Sequence, residues 1–323
     1  VLVKKVENLL GKLGDVFFDL LKCASHDGDT TLHDSPEALR SNFRTFILKQ
    51  ARPYVEKYPQ IPAPVERAEV EAHFYELIQT HDLLKSLSPE LVEHDSEAHL
   101  LFLEDLGQSR DFSFLYQKGK QLSLEEAKEL ASFLSALHFE YSLAYLTPCI
   151  SNRGMRMLNA EHIFRFPFLL ENGFDLDNVQ EGLQEISLPY KQDASLKTVL
   201  NGLEDRYLSD GNVLLHGDYY PGSWLQTTEG IRIIDPEFCF FGPKEFDVAV
   251  ARAHLKMAQQ EASVWRGFWG TYNRRHELDL KLLDQFTGVE ILRRIIGLAQ
   301  LPLDLELEER TSLLAEAYEL IMG

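Results

Sequence analysis

Three cysteines in 323 residues, Cys23, Cys149 and Cys239, are too few, too scattered and odd in number for a disulfide framework or a zinc cluster. No run approaches the about 18 consecutive apolar residues that a membrane-spanning helix needs, and no signal peptide opens the chain, so the cytosol is the expected compartment. Basic residues are scarce: 32 Lys and Arg stand against 51 Asp and Glu, a formal charge of −19. Such a surface repels nucleic acid and anionic membranes, and neither is expected as a partner. Internal repeats and low-complexity tracts are also lacking. What is present is a globular composition, 45% hydrophobic, in a chain long enough for two lobes and a sizeable core.

The most informative stretch runs from Leu215 to Asp247: LHGDYYPGSW, then IRIIDPEFCFFGPKEFD. Val213 to Leu215 and Ile231 to Ile234 are apolar runs of strand length, and Thr227-Thr228-Glu229-Gly230 reads as a hairpin turn. His216 and Asp218 then lie on a loop before the hairpin, with Asp235 and Glu237 at the end of its second strand. Positions i and i+2 of a strand share a face, so Asp235 and Glu237 can share an ion, with Pro236 ending the strand. Phosphoryl transfer asks a protein for one carboxylate to orient the attacking hydroxyl and for others to hold Mg²⁺ against nucleotide phosphates. Asp218 fits the first role and Asp235 with Glu237 the second, since two carboxylates leave the Mg²⁺ octahedron open to water and phosphate. His216 is expected to support the loop. A turn of polar residues beside a buried acid pair is the plain structural alternative, and the two pieces in this order weigh against it.

Other segments can be fitted to such a site. Phe46-Ile47-Leu48 is an apolar strand ending in Lys49, which can neutralise the phosphates of ATP if an acid holds it. Pro53 to Pro64 reads as a loop, and Pro64 to Gln79 as a helix with Pro64 in its first turn and Val70, Phe74, Leu77 and Ile78 at helical spacing. That helix offers Glu69 and Glu71, which spacing alone barely separates. Leu100 to Leu103 is a second apolar strand, followed by Glu104-Asp105-Leu106-Gly107 as a hinge. Ser123-Leu124-Glu125-Glu126 is a capping box before an apolar face of Leu124, Ala127, Leu130, Ala131, Leu134 and Leu137, with His138 packed at its border. Gly11 and Gly14 precede the strand-like Val16 to Leu21, where glycines let backbone N–H groups approach phosphate. Arg293 and Arg294 lie about 100° apart on a predicted helix, so one of them should face the site and the other be structural.

His-Gly-Asp followed by a hairpin and an Asp resembles the catalytic and metal loops of the aminoglycoside phosphotransferase and choline kinase superfamily. The finer resemblance, across nearly the whole chain, is to its methylthioribose kinase branch. It rests on FILKQARPY, Ser223 where relatives usually have Asn, DPEF, Gly242-Pro243, Phe246-Asp247, the segment from Asn152 to Phe168, and the twin arginines within Leu292 to Gly297. This resemblance implies an α+β, bilobal, protein-kinase-like fold: a small antiparallel-sheet N-lobe over residues 1–107 for the nucleotide, and a larger, mostly helical C-lobe over 108–323. It implies ATP and Mg²⁺ as cofactors, with Gly11, Gly14, Lys49, Glu71, Glu104 and Leu106 around the nucleotide. Glu71 matches the family position better than Glu69. Asp218 and His216 fall in the catalytic loop, Asp235, Glu237 and Ser223 at the metal, and Arg293, Arg294 and Asp218 at the acceptor. A homodimer is implied as well. Two departures stand out: Tyr58-Pro59-Gln60-Ile61-Pro62 replaces a Trp-Pro loop, and the chain is shorter than the family usually runs and opens on Val1, which leaves part of the amino-terminal helix or strand expected outside it. The expected acceptor is a hydroxyl of a small molecule, a sugar such as methylthioribose, with an aminoglycoside, choline or homoserine as alternatives and a catalytically silent kinase-like binding protein as a further one.

Overall fold

The computed structural model describes residues 45–142 and 150–323, and residues 47–323 cluster as one compact unit. Strand β1 (Phe46–Gln50) leads to β2 (Tyr54–Val55) and β3 (Tyr58–Pro62), then α1 (Arg67–Ile78) and α2 (Asp82–Ser86). Strands β4 (Leu91–Asp95), β5 (Leu100–Glu104) and β6 (Ser109–Asp111) precede α3 (Leu124–Glu140), α4 (Arg153–Ala160), α5 (Leu183–Gln192) and α6 (Ala194–Leu208). Then follow β7 (Val213–Leu215), β8 (Trp224–Thr227), β9 (Gly230–Ile233) and β10 (Phe240–Gly242). Helices α7 (Glu245–Met257), α8 (Ala262–Tyr272), α9 (Leu280–Ile296) and α10 (Leu307–Met322) complete the chain. Small sheets in the orders β1-β5-β4, β2-β3, β6-β8-β9 and β7-β10, among many helices, give the α+β class expected from the sequence.

Local sequence accounts for these elements. Leu100 to Leu103 of β5 are all buried, as suits a central strand between β1 and β4. The Ser123 side chain accepts from the Glu126 N–H while the Glu126 carboxylate accepts from the Ser123 N–H, so the capping box starts α3 as read. Ala127, Leu130, Ala131, Leu134 and Leu137 are buried, but Leu124 is 40% exposed, because the first turn of α3 lies at the margin of the core over Gly267. Asp279 caps α9 by accepting from the Leu282 N–H. Helices α7, α9 and α10 pack in succession, and α3 packs on α8.

Two expectations need correction here. The Pro53-to-Pro64 stretch is more than a loop: Tyr54 pairs with Pro62 and Val55 with Tyr58 in the β2–β3 hairpin. A two-stranded ribbon leaves half its N–H groups pointing away from the partner, which tolerates Pro59 and Pro62. Helix α1 begins at Arg67 rather than in a turn containing Pro64, and the Pro64 carbonyl accepts from the Arg67 guanidinium at 2.7 Å.

Candidate active site

Strand β7 ends at Leu215, which pairs antiparallel with Phe240 of β10, and the chain then turns through His216, Gly217 and Asp218. Gly217 has φ +84°, and a Cβ there would lie 2.1 Å from the Phe238 carbonyl oxygen, so only glycine lets this loop pass the turn after β9. Asp247, buried at the start of α7, accepts from the backbone N–H groups of His216 (2.7 Å) and Gly217 (2.9 Å). His138 is buried behind it, 3.2 Å from Asp247 and 2.7 Å from the Tyr272 hydroxyl, a packed residue as expected. His216 is fully buried; its Nε2 donates to the Ile234 carbonyl (3.0 Å) and its Nδ1 accepts from the Asp218 N–H (3.4 Å). Burial lowers its pKa, which keeps the ring in the neutral form this pairing requires. The Ser223 hydroxyl donates to the Asp218 carbonyl at 2.8 Å. The loop is thereby fixed from three sides.

The turn after β9 differs from the expected strand end. Strand β9 stops at Ile233, Asp235 takes the left-handed conformation (φ 64°, ψ 49°), and Pro236–Phe238 forms a 3₁₀ turn. The i, i+2 argument therefore does not apply. The left-handed step, which Asp tolerates better than most residues, aims the two carboxylates instead. The Asn152 side chain holds this turn by donating to the carbonyls of Glu237 (2.8 Å) and Cys239 (3.0 Å). Asp235, with 53% of its side chain exposed, pairs with Lys49 Nζ, and Glu237 accepts from Arg67 Nε at 3.1 Å. Lys49 also donates to Glu71 at 2.7 Å, whereas Glu69 pairs with His99 at 2.8 Å, so it is Glu71 that meets the lysine. Burial opposes the Lys49 charge, but Glu71, Asp235 and Glu237 outweigh it and hold the pKa above the ordinary lysine value. Asp235 and Glu237 offer hard oxygens, and their present partners are the side chains Lys49 and Arg67. Among the described residues no three His, Cys, Asp or Glu side chains close a metal cage. An open pair of carboxylates is the donor set that suits Mg²⁺, which retains water and phosphate oxygens.

Asp218 faces a cavity of about 170 Å³. Its lining combines the apolar Val55, Tyr58, Ile61, Leu158, Phe238 and Leu298 with the polar Asn159, His162, Arg293 and Arg294. Asp218 Oδ1 lies 3.2 Å from Arg294 Nη2 and 3.7 Å from Arg293 Nη2. Burial raises the Asp218 pKa, against the two guanidinium groups. Both arginines thus reach the site, contrary to the expectation that only one would. Their side chains are long enough to converge on the buried Glu290, one turn back on α9, which accepts from Arg293 Nη2 (3.1 Å) and Arg294 Nε (2.8 Å). Burial alone would raise the Glu290 pKa, but Arg293, Arg294 and His254 hold it well below the carboxylate range. His254 Nε2 meets Glu290 at 2.9 Å and its Nδ1 meets the Tyr116 hydroxyl at 2.5 Å, while Arg294 stacks over Tyr220 with 4.8 Å to the ring centroid.

The hinge residues Glu104 and Leu106 close β5, where Asp105 accepts from the Gly107 N–H at 2.9 Å and Glu104 from the Glu90 N–H at 3.1 Å. Gly11 and Gly14, with the strand expected after them, lie outside the described residues. Sequence reasoning missed Arg67, Asn152, Asn159, His162, His254 and Glu290. Glu290 left a trace at i−3 and i−4 from the twin arginines, and Asn152, Asn159 and His162 fall in the Asn152-to-Phe168 segment on which the resemblance rests, without a role read for any of them; Arg67 and His254 come from elements far apart in the chain.

The sequence profile described as the phosphotransferase enzyme family matches residues 35–278. Methylthioribose kinase from Bacillus velezensis is 26% identical over 299 residues, 80% of this chain and 74% of the relative. That from Yersinia enterocolitica is 29% identical over 219 residues, 65% of this chain and 53% of the relative. Among solved structures, choline kinase LicA from Streptococcus pneumoniae superimposes with a TM-score of 0.48 at 13% identity over 87% of each chain. The chain belongs to the phosphotransferase enzyme family. Within it, the protein is an ATP-dependent small-molecule kinase. Among the described residues no helix is long and apolar enough to cross a membrane.

Proposed function

We propose that the protein transfers the γ-phosphoryl group of ATP to a hydroxyl of a sugar of the methylthioribose type, with Asp218 orienting that hydroxyl and accepting its proton. One observation carries the reading: the cavity at Asp218 is lined both by apolar side chains and by the paired guanidinium groups of Arg293 and Arg294. The apolar side chains suit a thioether tail, and the guanidinium groups suit sugar hydroxyls with an incoming phosphoryl group. Tyr58 and Ile61 contribute to the apolar part of this lining. Lys49, held by Glu71, neutralises the α- and β-phosphates. Asp235 and Glu237 would hold Mg²⁺, which would supply charge neutralisation at the phosphates. His216, Ser223 and Asp247 keep the Asp218 loop in place by the hydrogen bonds described above.

Measuring ATP consumption over methylthioribose, an aminoglycoside, choline and homoserine tests the acceptor. Methylthioribose should have the highest kcat/KM. An inert methylthioribose beside a reactive alternative would remove this acceptor and leave the family unaffected.

A further inference from the structure

Almost every polar group lining the cavity is already engaged by the protein. Asp218 Oδ1 accepts from Arg294, and Arg293 and Arg294 share Glu290. Asn159 is used at both ends, its Oδ1 facing Arg293 at 3.4 Å and its Nδ2 donating to the Tyr207 hydroxyl at 3.1 Å. His162 is the exception: it lines the same cavity, and among the described residues its ring nitrogens form no hydrogen bond. It lies on Glu161–Arg165, a single π-helical turn that continues α4, a kind of turn found often at functional sites. Phe166 packs against the ring at 5.4 Å between centroids and sets its plane.

We propose that His162 is a specificity-determining residue whose imidazole hydrogen-bonds a second hydroxyl of the acceptor, so that the pocket selects a polyol over an alcohol with one hydroxyl. This rests on the acceptor reading above and deepens it. An acceptor that enters the cavity loses water from all its hydroxyls, and each one left without a partner counts against binding. The reacting hydroxyl goes to Asp218. A neighbouring hydroxyl can donate or accept, and a neutral imidazole has one nitrogen of each kind, so whichever nitrogen faces that hydroxyl can pair with it. Burial lowers the His162 pKa, against the pull of Glu161 and with Arg293 on the side of burial, which favours the neutral ring. A site of this kind discriminates strongly against an analogue lacking the hydroxyl, because the protein's own polar group is then left unmatched.

The test is steady-state kinetics of the full chain with methylthioribose and with analogues each lacking one of its other ring hydroxyls. His162→Leu should raise KM for methylthioribose by about tenfold or more with KM for ATP within about twofold, and His162→Gln, which keeps a donor and an acceptor, should recover most of the loss. One deoxy analogue should show the same KM in wild type and His162→Leu, since it has nothing to offer the ring. Equal KM for methylthioribose in the two proteins, or an equal penalty on every deoxy analogue, overturns the proposal. An inert methylthioribose removes the acceptor reading alone. The same variants are then measured on whichever acceptor reacts: preference for a single-hydroxyl acceptor overturns the role of His162, and a polyol whose KM responds to His162→Leu supports it.

Discussion

At Asp218, burial and two guanidinium groups act in opposite directions on one carboxyl, and burial prevails, leaving it more basic than a free aspartate. A base must be ionised to work, so kcat/KM should fall as pH drops through a pKa above the ordinary aspartate value of about 3.9. Arg294 lowers that pKa, so Arg294→Gln should move the acid limb of the pH profile to higher pH, and an unmoved limb would assign the titration to another group. Asp218→Asn should reduce kcat by about a hundredfold or more while calorimetry finds ATP affinity nearly intact, a size typical of a lost general base. Arg293 and Arg294 share Glu290 and both reach the cavity, so Arg293→Lys and Arg294→Lys should behave alike. Each should raise the acceptor KM by about tenfold with KM for ATP barely changed, because an ammonium cannot reproduce paired, planar donors. Strongly different effects would return one arginine to a purely structural role.

Among elements, the turn after β9 concentrates most of the chemistry in the fewest residues. Asp235→Ala and Glu237→Ala should each weaken Mg²⁺-supported ATP binding in calorimetric titrations, and unchanged affinity in both would make the turn structural. Asn152→Ala leaves two carbonyls of that turn without a donor and should lower stability in urea unfolding by about 1–3 kcal/mol, with ATP affinity falling alongside. The strands around this turn were legible because apolar runs of strand length flank an obvious hairpin turn, and α3 because a capping box precedes its apolar face. The left-handed step at Asp235 left no such signal, since the apolar pattern of a strand says nothing about the φ of the single residue that follows it. The meeting of Lys49 with Glu71 was legible only as a choice between two glutamates two residues apart, which the packing of α1 resolves by burying one and turning the other to His99. The reach of both arginines was misjudged because helical angle locates a Cα and says little about a guanidinium several bonds away.

For the molecule as a whole, buried neutral histidines set a pH dependence of stability. Burial depresses His254, against the pull of Glu290, and His276 to about 4 each. The unfolded chain therefore takes up these protons first as pH falls from about 6.5, and stability drops over the interval down to about 4 by at most about 1.4 kcal/mol per pH unit for each proton. His276, which meets the Ser135 carbonyl at 2.9 Å away from the cavity, gives a clean probe. Urea unfolding of His276→Gln between pH 7 and pH 4 should show a shallower fall than wild type, and an identical slope would exclude His276 as a source. The two backbone donors that Asp247 receives from His216 and Gly217 carry a different consequence. Because their acceptor is a fully buried side chain of α7, these amides should meet solvent only when Asp247 and this loop separate. Isotope labelling in deuterated water should find both among the last protons to exchange, so that the catalytic loop behaves as part of the slowest-opening unit although it lies between secondary-structure elements.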